Sequence, residues 1–232
     1  MRGLQVRLTG GSDGKGGGDG PVVILLHGFG APGDDLVALW EYLDGPTGTR
    51  FVFPEGLLSL PMAYGQGRAW WMIDIEKLQR DTAMGRPRDL SGDNPVGLTE
   101  SRERVIALLG EIDQRFGADP KRTVLGGFSQ GAMLACDVAL RMERPFAGLV
   151  LMSGTLLSKD EWIPLMPRRH GLPVFMSHGT SDPLLPFSLA EQLRDLLGRA
   201  GLAVEWVPFR GVHEIPPAVL AELGKFLRKV LA

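Results

Sequence analysis

A strand that is apolar at every position has no face to give to water. The chain holds several such runs: VVILL (22–26) and the apolar parts of RFVFPEG (50–56), RTVLGGFS (122–129), FAGLVLMSG (146–154) and LPVFMSHG (172–179). They are rich in β-branched and apolar residues and end in glycine or a turn, as strands covered on both faces do. Segments of helical period alternate with them. LVALWEYL (36–43) follows Asp34 and Asp35, which suit the positive end of a helix dipole. Helical period also marks 98–116, QGAMLACDVALRM (130–142), SLAEQLRDLLGRAG (188–201) and 217–232. Ser158 with Glu161, and Ser188 with Glu191, have capping-box spacing. LQVRL (4–8) and AVEWVPF (203–209) read as further strands. Strands alternating with helices predict a mainly parallel sheet with helices on both faces. The 232 residues suit a single α/β domain over 1–232. Residues 10–20, GGSDGKGGGDG, read as a flexible glycine-rich loop, and 57–97 as a long irregular stretch.

In such a sheet, ligands sit beyond the C-terminal ends of the strands. The post-strand residues therefore carry the functional question, and a G-x-S-x-G pattern occurs there. Gly127-Phe128-Ser129-Gln130-Gly131 follows a strand and opens a helix. A serine presented at such a turn needs small residues two positions to either side, because strand and helix approach closely. The helix start also aims N–H groups at the place where an oxyanion would form. The second copy, around Ser12, has neither flanking element.

Serine is a weak nucleophile without an adjacent base, and the base needs an acid to orient it. In the strand-turn-helix arrangement the order is serine, acid, histidine. Asp182 lies in the post-strand GTSDP, and His213 in FRGVHE after the 203–209 strand. His213 is the only histidine after Asp182, so the order selects one pair. Glu205 and Glu214 are weaker acid candidates: one lies on a strand, the other adjoins the histidine. His27 and His178, each in an H-G pair at a strand end, read as structural or as supporting hydrogen-bonders. His170 reads as a solvated loop residue. Cys136 reads as a buried, inert thiol on the helix behind the serine. The N–H groups of Gln130 and of Phe29, in the HGFG turn after the first buried strand, are the expected oxyanion donors. Trp70, Trp71, Met72 and Leu184 are candidate substrate-pocket residues.

The bulk numbers exclude other classes. A net charge of −2 with no long basic block gives no field for nucleic acid. No apolar run is long enough to span a bilayer, and the N-terminus lacks an apolar signal-peptide core. No spacing suits a metal, and one cysteine precludes an internal disulfide. A cytoplasmic setting fits.

LLHGFGAPGDDL, RAWWMIDI, GGFSQGAML, HGTSDPLLP and GVHEI together resemble the phospholipase/carboxylesterase family of α/β-hydrolases. The resemblance implies an α/β-hydrolase fold without a large lid domain, and no metal or cofactor. It implies a triad of Ser129, Asp182 and His213 with Phe29 and Gln130 as the oxyanion hole. Homodimers are among the family's assemblies. One departure is that Met72 and Ile73 separate Trp70-Trp71 from Asp74, where family members often have aspartate directly after an aromatic pair. The expected activity is hydrolysis of small, soluble, short- to medium-chain carboxylic esters through an acyl-enzyme. The alternatives are a lysophospholipase or acyl-protein thioesterase on the same triad and, from another class, a non-catalytic ligand-binding scaffold.

Overall fold

The computed structural model describes residues 3–62, 65–74, 80, 84–85 and 89–232. Among these residues the main sheet has eight strands: β1 (Val6–Gly11), β2 (Lys15–Gly17), β3 (Val22–Leu26), β4 (Arg50–Pro54), β7 (Thr123–Phe128), β8 (Gly148–Met152), β9 (Pro173–Gly179) and β10 (Ala203–Phe209). A separate hairpin joins β5 (Leu58–Met62) to β6 (Gly65–Ala69). The strand order is β10-β9-β8-β7-β3-β4-β1-β2. From β10 through β4 every pairing is parallel, and β1 runs antiparallel to β4. The described α-helices are α1 (Leu98–Phe116), α2 (Gln130–Arg141), α3 (Lys159–Leu165), α4 (Phe187–Arg199) and α5 (Pro217–Leu231).

The apolar strands divide their residues between two cores. Val22, Ile24 and Leu26 of β3 face one way, with Leu125, Leu149 and Val174, and pack against α1, α2, α3 and α4. Val23 and Leu25 face the other way, with Val124, Val150 and Phe175, against Val219, Leu223 and Phe226 of α5. This is the period-two alternation of a strand. Each fully buried leucine or phenylalanine contributes roughly 1.5–3 kcal/mol. The result is the α/β-hydrolase fold, and among the described residues no large lid covers the strand ends.

Several local expectations are corrected. The segment after Asp34 and Asp35 is not an α-helix but a 3-10 helix over Val37–Tyr42, with no side-chain cap at Leu36. Asp34 instead accepts the Val37 N–H through its main-chain carbonyl. So short a run gains little from α-type bonding. The irregular stretch contains the β5–β6 hairpin, whose glycines and Pro61 obscure its strand character. Neither capping box forms. Ser158 adopts left-handed angles and its hydroxyl donates to the Asp93 carbonyl, while Ser188 lies inside α4, which starts at Phe187. The glycine-rich stretch contributes β2 and a turn in which the Asp13 carboxylate accepts the Lys15 and Gly17 N–H groups.

Candidate active site

Because β7, β9 and β10 are parallel, their C-terminal ends share one edge of the sheet, and the loops after them meet there. The step from β7 to α2 is a strained turn. Ser129 has φ 54° and ψ −116°, an arrangement non-glycine residues avoid and one that persists only where the surroundings enforce it. Its N–H donates to the Met152 carbonyl of β8 at 2.8 Å. The enforcing contacts are visible at the flanking glycines. A Cβ on Gly127 would lie 2.5 Å from the Leu26 carbonyl oxygen, and one on Gly131 only 2.0 Å from it. Strand β3, strand β7 and the start of α2 thus touch backbone to backbone.

Asp182 and His213 come together on the neighbouring loops. The Asp182 carboxylate is fully buried, and its Oδ2 accepts from His213 Nδ1 at 2.6 Å. Its Oδ1 accepts the N–H groups of Leu184 and Leu185 at 2.8 and 2.9 Å. A carboxylate that only accepts forces the proton onto Nδ1, leaving Nε2 as the basic nitrogen of the imidazole. The His213 loop is anchored to the Asp182 loop by two backbone bonds, Thr180 N–H to Phe209 and Ser181 N–H to Gly211. The imidazole reaches the serine turn through Phe128, whose ring lies 4.8 Å from it, centroid to centroid.

His178 is a contact that sequence reasoning placed only loosely. It is fully buried; Nε2 donates to the Leu185 carbonyl at 2.8 Å and lies 3.3 Å from Asp182 Oδ2. Burial alone would raise the pKa of Asp182. The bonds from His178 and His213, with the Leu185 N–H, outweigh it and hold the carboxyl well below the usual carboxylate range. Asp182 is therefore charged at any neutral or mildly acidic pH.

The HGFG turn lies against the serine. A Cβ on Gly28 would be 3.4 Å from Ser129 Cβ. Phe29 follows, half-buried, and the Gly30 N–H donates to the Arg68 carbonyl of β6 at 2.8 Å. Gln130 is the first residue of α2, so its N–H has no carbonyl partner within the helix. His27 is locked in a neutral tautomer: Nδ1 donates to the Gly28 carbonyl at 2.7 Å and Nε2 accepts the Gly56 N–H at 2.8 Å. Burial lowers its pKa.

The residues expected to line a pocket separate into two groups. Trp70 and Trp71 are 1% and 3% exposed and belong to the core. The Trp70 indole donates to the His27 carbonyl at 2.9 Å, behind the HGFG turn. Met72 and Leu184 are 59% and 42% exposed, on segments flanking the site. Part of the 57–97 stretch expected to form a pocket wall lies outside the described residues. The competing acids are engaged elsewhere: Glu205 with Lys229, and Glu214 with the Val212 N–H. His170 is exposed. Cys136 is buried, and burial pushes its thiol far above the ordinary range. Among the described residues no group of three or more His, Cys, Asp or Glu could hold a metal.

Comparison with known proteins gives a consistent picture. A model of the family described as phospholipase/carboxylesterase matches residues 15–231. Among curated relatives, acyl-protein thioesterase 1 of Emericella nidulans is 28% identical over 221 residues, covering 90% of each chain. Acyl-protein thioesterase 1 of Gibberella zeae is 30% identical over 218 residues, again 90% of each. Among solved structures, esterase PE8 superposes with a TM-score of 0.81 at 27% identity, over 99% of this chain and 100% of that one.

Proposed function

The chain belongs to the phospholipase/carboxylesterase family of α/β-hydrolases, and from that premise we propose that it is a serine carboxylesterase acting on short- to medium-chain esters. Ser129 is the nucleophile, His213 its base and Asp182 the orienting acid. The observation that carries the reading is the 2.6 Å bond from His213 Nδ1 to a buried, charged Asp182, with the His213 ring lying on Phe128, the residue before a serine in strained backbone geometry.

The Ser129 hydroxyl oxygen attacks the ester carbonyl carbon while His213 Nε2 takes its proton. The N–H groups of Phe29 and Gln130 receive the oxyanion. The imidazolium, stabilised by Asp182, passes the proton to the leaving alkoxide as the carbon–oxygen bond breaks. Water then attacks the acyl-serine with His213 again as base. The proton returns to Ser129, and the acid leaves.

A second reading keeps every residue and changes the leaving group to a thiol. It is favoured by the names of the curated relatives, which are acyl-protein thioesterases. A ladder of nitrophenyl esters from acetate to palmitate separates the two. The proposal expects turnover peaking at or below the hexanoate, and a loss on the order of 10⁴-fold or more in Ser129→Ala. A peak at octanoate or longer, with faster cleavage of acyl thioesters, favours the second reading. Equal, slow hydrolysis by both proteins removes Ser129 from the chemistry.

A further inference from the structure

The side chain of Gln130 is fully buried, and the two ends of its amide are bonded to two adjacent residues, one each. Oε1 accepts the Trp70 N–H at 2.9 Å, and Nε2 donates to the Trp71 carbonyl at 2.9 Å. The amide thus pairs with the Trp70-Trp71 backbone as a neighbouring strand would. Trp70 in turn holds the HGFG turn: its indole N–H donates to the His27 carbonyl at 2.9 Å, and its ring stacks on the His27 ring at 5.2 Å. Ser101 fixes Trp70 from the other side, its hydroxyl donating to the Trp70 carbonyl at 2.5 Å. His27 then bonds both Gly28 and Gly56.

We propose that the Gln130 side chain, acting through Trp70, is a positioning group that sets the separation between the two oxyanion donors. The inference rests on the reading of Phe29 and Gln130 N–H as those donors. One donor is the backbone of Gln130 itself; the other lies two residues beyond His27. A continuous path of buried hydrogen bonds, Gln130 to Trp70 to His27, joins them. A glycine-rich turn has little rigidity of its own, and donors misplaced by a fraction of an ångström lose much of their effect on a developing charge. A buried amide used only as filler would leave polar atoms costly to desolvate, whereas here both are used. Trp70, expected as pocket lining, is on this account part of the frame behind the donors.

The test is Trp70→Phe, which deletes the indole N–H and keeps a ring to stack on His27. Trp162→Phe is the control. Trp162 is another fully buried tryptophan in the same core, and its indole N–H donates to Asp137 Oδ1 at 2.8 Å, away from the HGFG turn. The readouts are melting temperature, kcat and KM on nitrophenyl butyrate, and affinity for an alkyl boronic acid, whose tetrahedral serine adduct places an oxygen between the donors. Trp70→Phe is expected to lower kcat about 10-fold, less than the 10²–10³ of losing a donor outright, with KM changed less than about twofold. Boronate affinity should fall by a similar factor. Trp162→Phe should lower the melting temperature comparably while leaving kcat within about twofold. Gln130→Met keeps the backbone N–H and should reproduce the Trp70→Phe kinetics. The double variant should lose no more than the worse single one, because both cut the same path. The inference is overturned if Trp70→Phe and Gln130→Met melt lower but keep wild-type kcat and boronate affinity. It is also overturned if Trp162→Phe loses kcat equally, or if the two losses multiply. A wild-type protein with neither esterase activity nor boronate binding would instead overturn the proposed function on which the inference stands.

Discussion

Adding one methyl group at Gly131 should damage activity far more than the same methyl at Gly110. At Gly131 the new Cβ would lie 2.0 Å from the Leu26 carbonyl oxygen, 2.4 Å from its carbon and 2.6 Å from the His27 carbonyl oxygen. All three are backbone atoms at the end of β3, which lies between β7 and β4 and cannot swing aside like a side-chain tip. Relief to 3.0 Å, the shortest contact a real Cβ makes, requires a shift of at least about 1 Å (3.0 − 2.0). That gap would open between the start of α2, with Ser129 just before it and the Gln130 N–H in its first residue, and the strand that leads into the HGFG turn. A displacement of about 1 Å between reacting groups costs on the order of 10²-fold in rate. Overpacking adds about 1–3 kcal/mol of destabilisation. At Gly110, inside α1, the Cβ would meet nothing within 4 Å. There, alanine removes the glycine penalty and should stabilise by about 0.5–1 kcal/mol, raising the melting temperature by about 1–4 °C without touching kcat. Thermal melts and nitrophenyl butyrate kinetics on the two variants read both effects. A Gly131→Ala protein with wild-type kcat and melting temperature would show that the close approach at the serine turn does not govern the site.

Two further predictions concern the histidines. Asp182→Asn keeps an acceptor for the Leu184 and Leu185 N–H groups but allows an amide donor to face His213 Nδ1. This favours the wrong tautomer, and kcat/KM on nitrophenyl butyrate should fall on the order of 10⁴-fold; the melting temperature should fall too, because the charge that the His178, His213 and Leu185 bonds stabilise is removed. His27 is held neutral by burial, its pKa below the ordinary 6.5. Its contribution to stability is therefore complete above about pH 6.5 and lost as pH falls, because the unfolded chain then binds the proton more readily. Urea unfolding at pH 7.5 and 5.5 should show a wild-type loss, of which at most about 1.4 kcal/mol is absent in His27→Gln. An identical pH dependence in the two proteins would refute that assignment.

What the sequence reveals and what it hides follow one physical division. Runs apolar on both faces, such as VVILL, leave only a covered parallel sheet, and the strand ends then point to Ser129, Asp182 and His213. These are inferences from period and order, and they survive errors of a residue or two. Features set by competition between near-equal local states are not legible. Val37–Tyr42 is too short for period to separate α from 3-10 geometry. Ser158 has the spacing of a cap but finds a better acceptor in the carbonyl of Asp93, 65 residues away in the chain. The β5–β6 hairpin is masked by Pro61 and its glycines, yet its β6 backbone holds the HGFG turn through Gly30. The Gln130 amide meets Trp70 across 60 residues of chain, and no local pattern announces such a pairing. Trp70 reads as an aromatic that could line a pocket; only its buried indole bond shows what it supports.

The proposed mechanism rests on Ser129 being the single activated nucleophile. The most direct measurement is reaction with an alkyl fluorophosphonate, followed by mass spectrometry of the intact protein and of its peptides. One adduct per chain is expected, on the peptide carrying Ser129, with none in Ser129→Ala and much slower labelling in His213→Ala. An adduct on any other residue, Ser12 included, or labelling that survives Ser129→Ala, would contradict it.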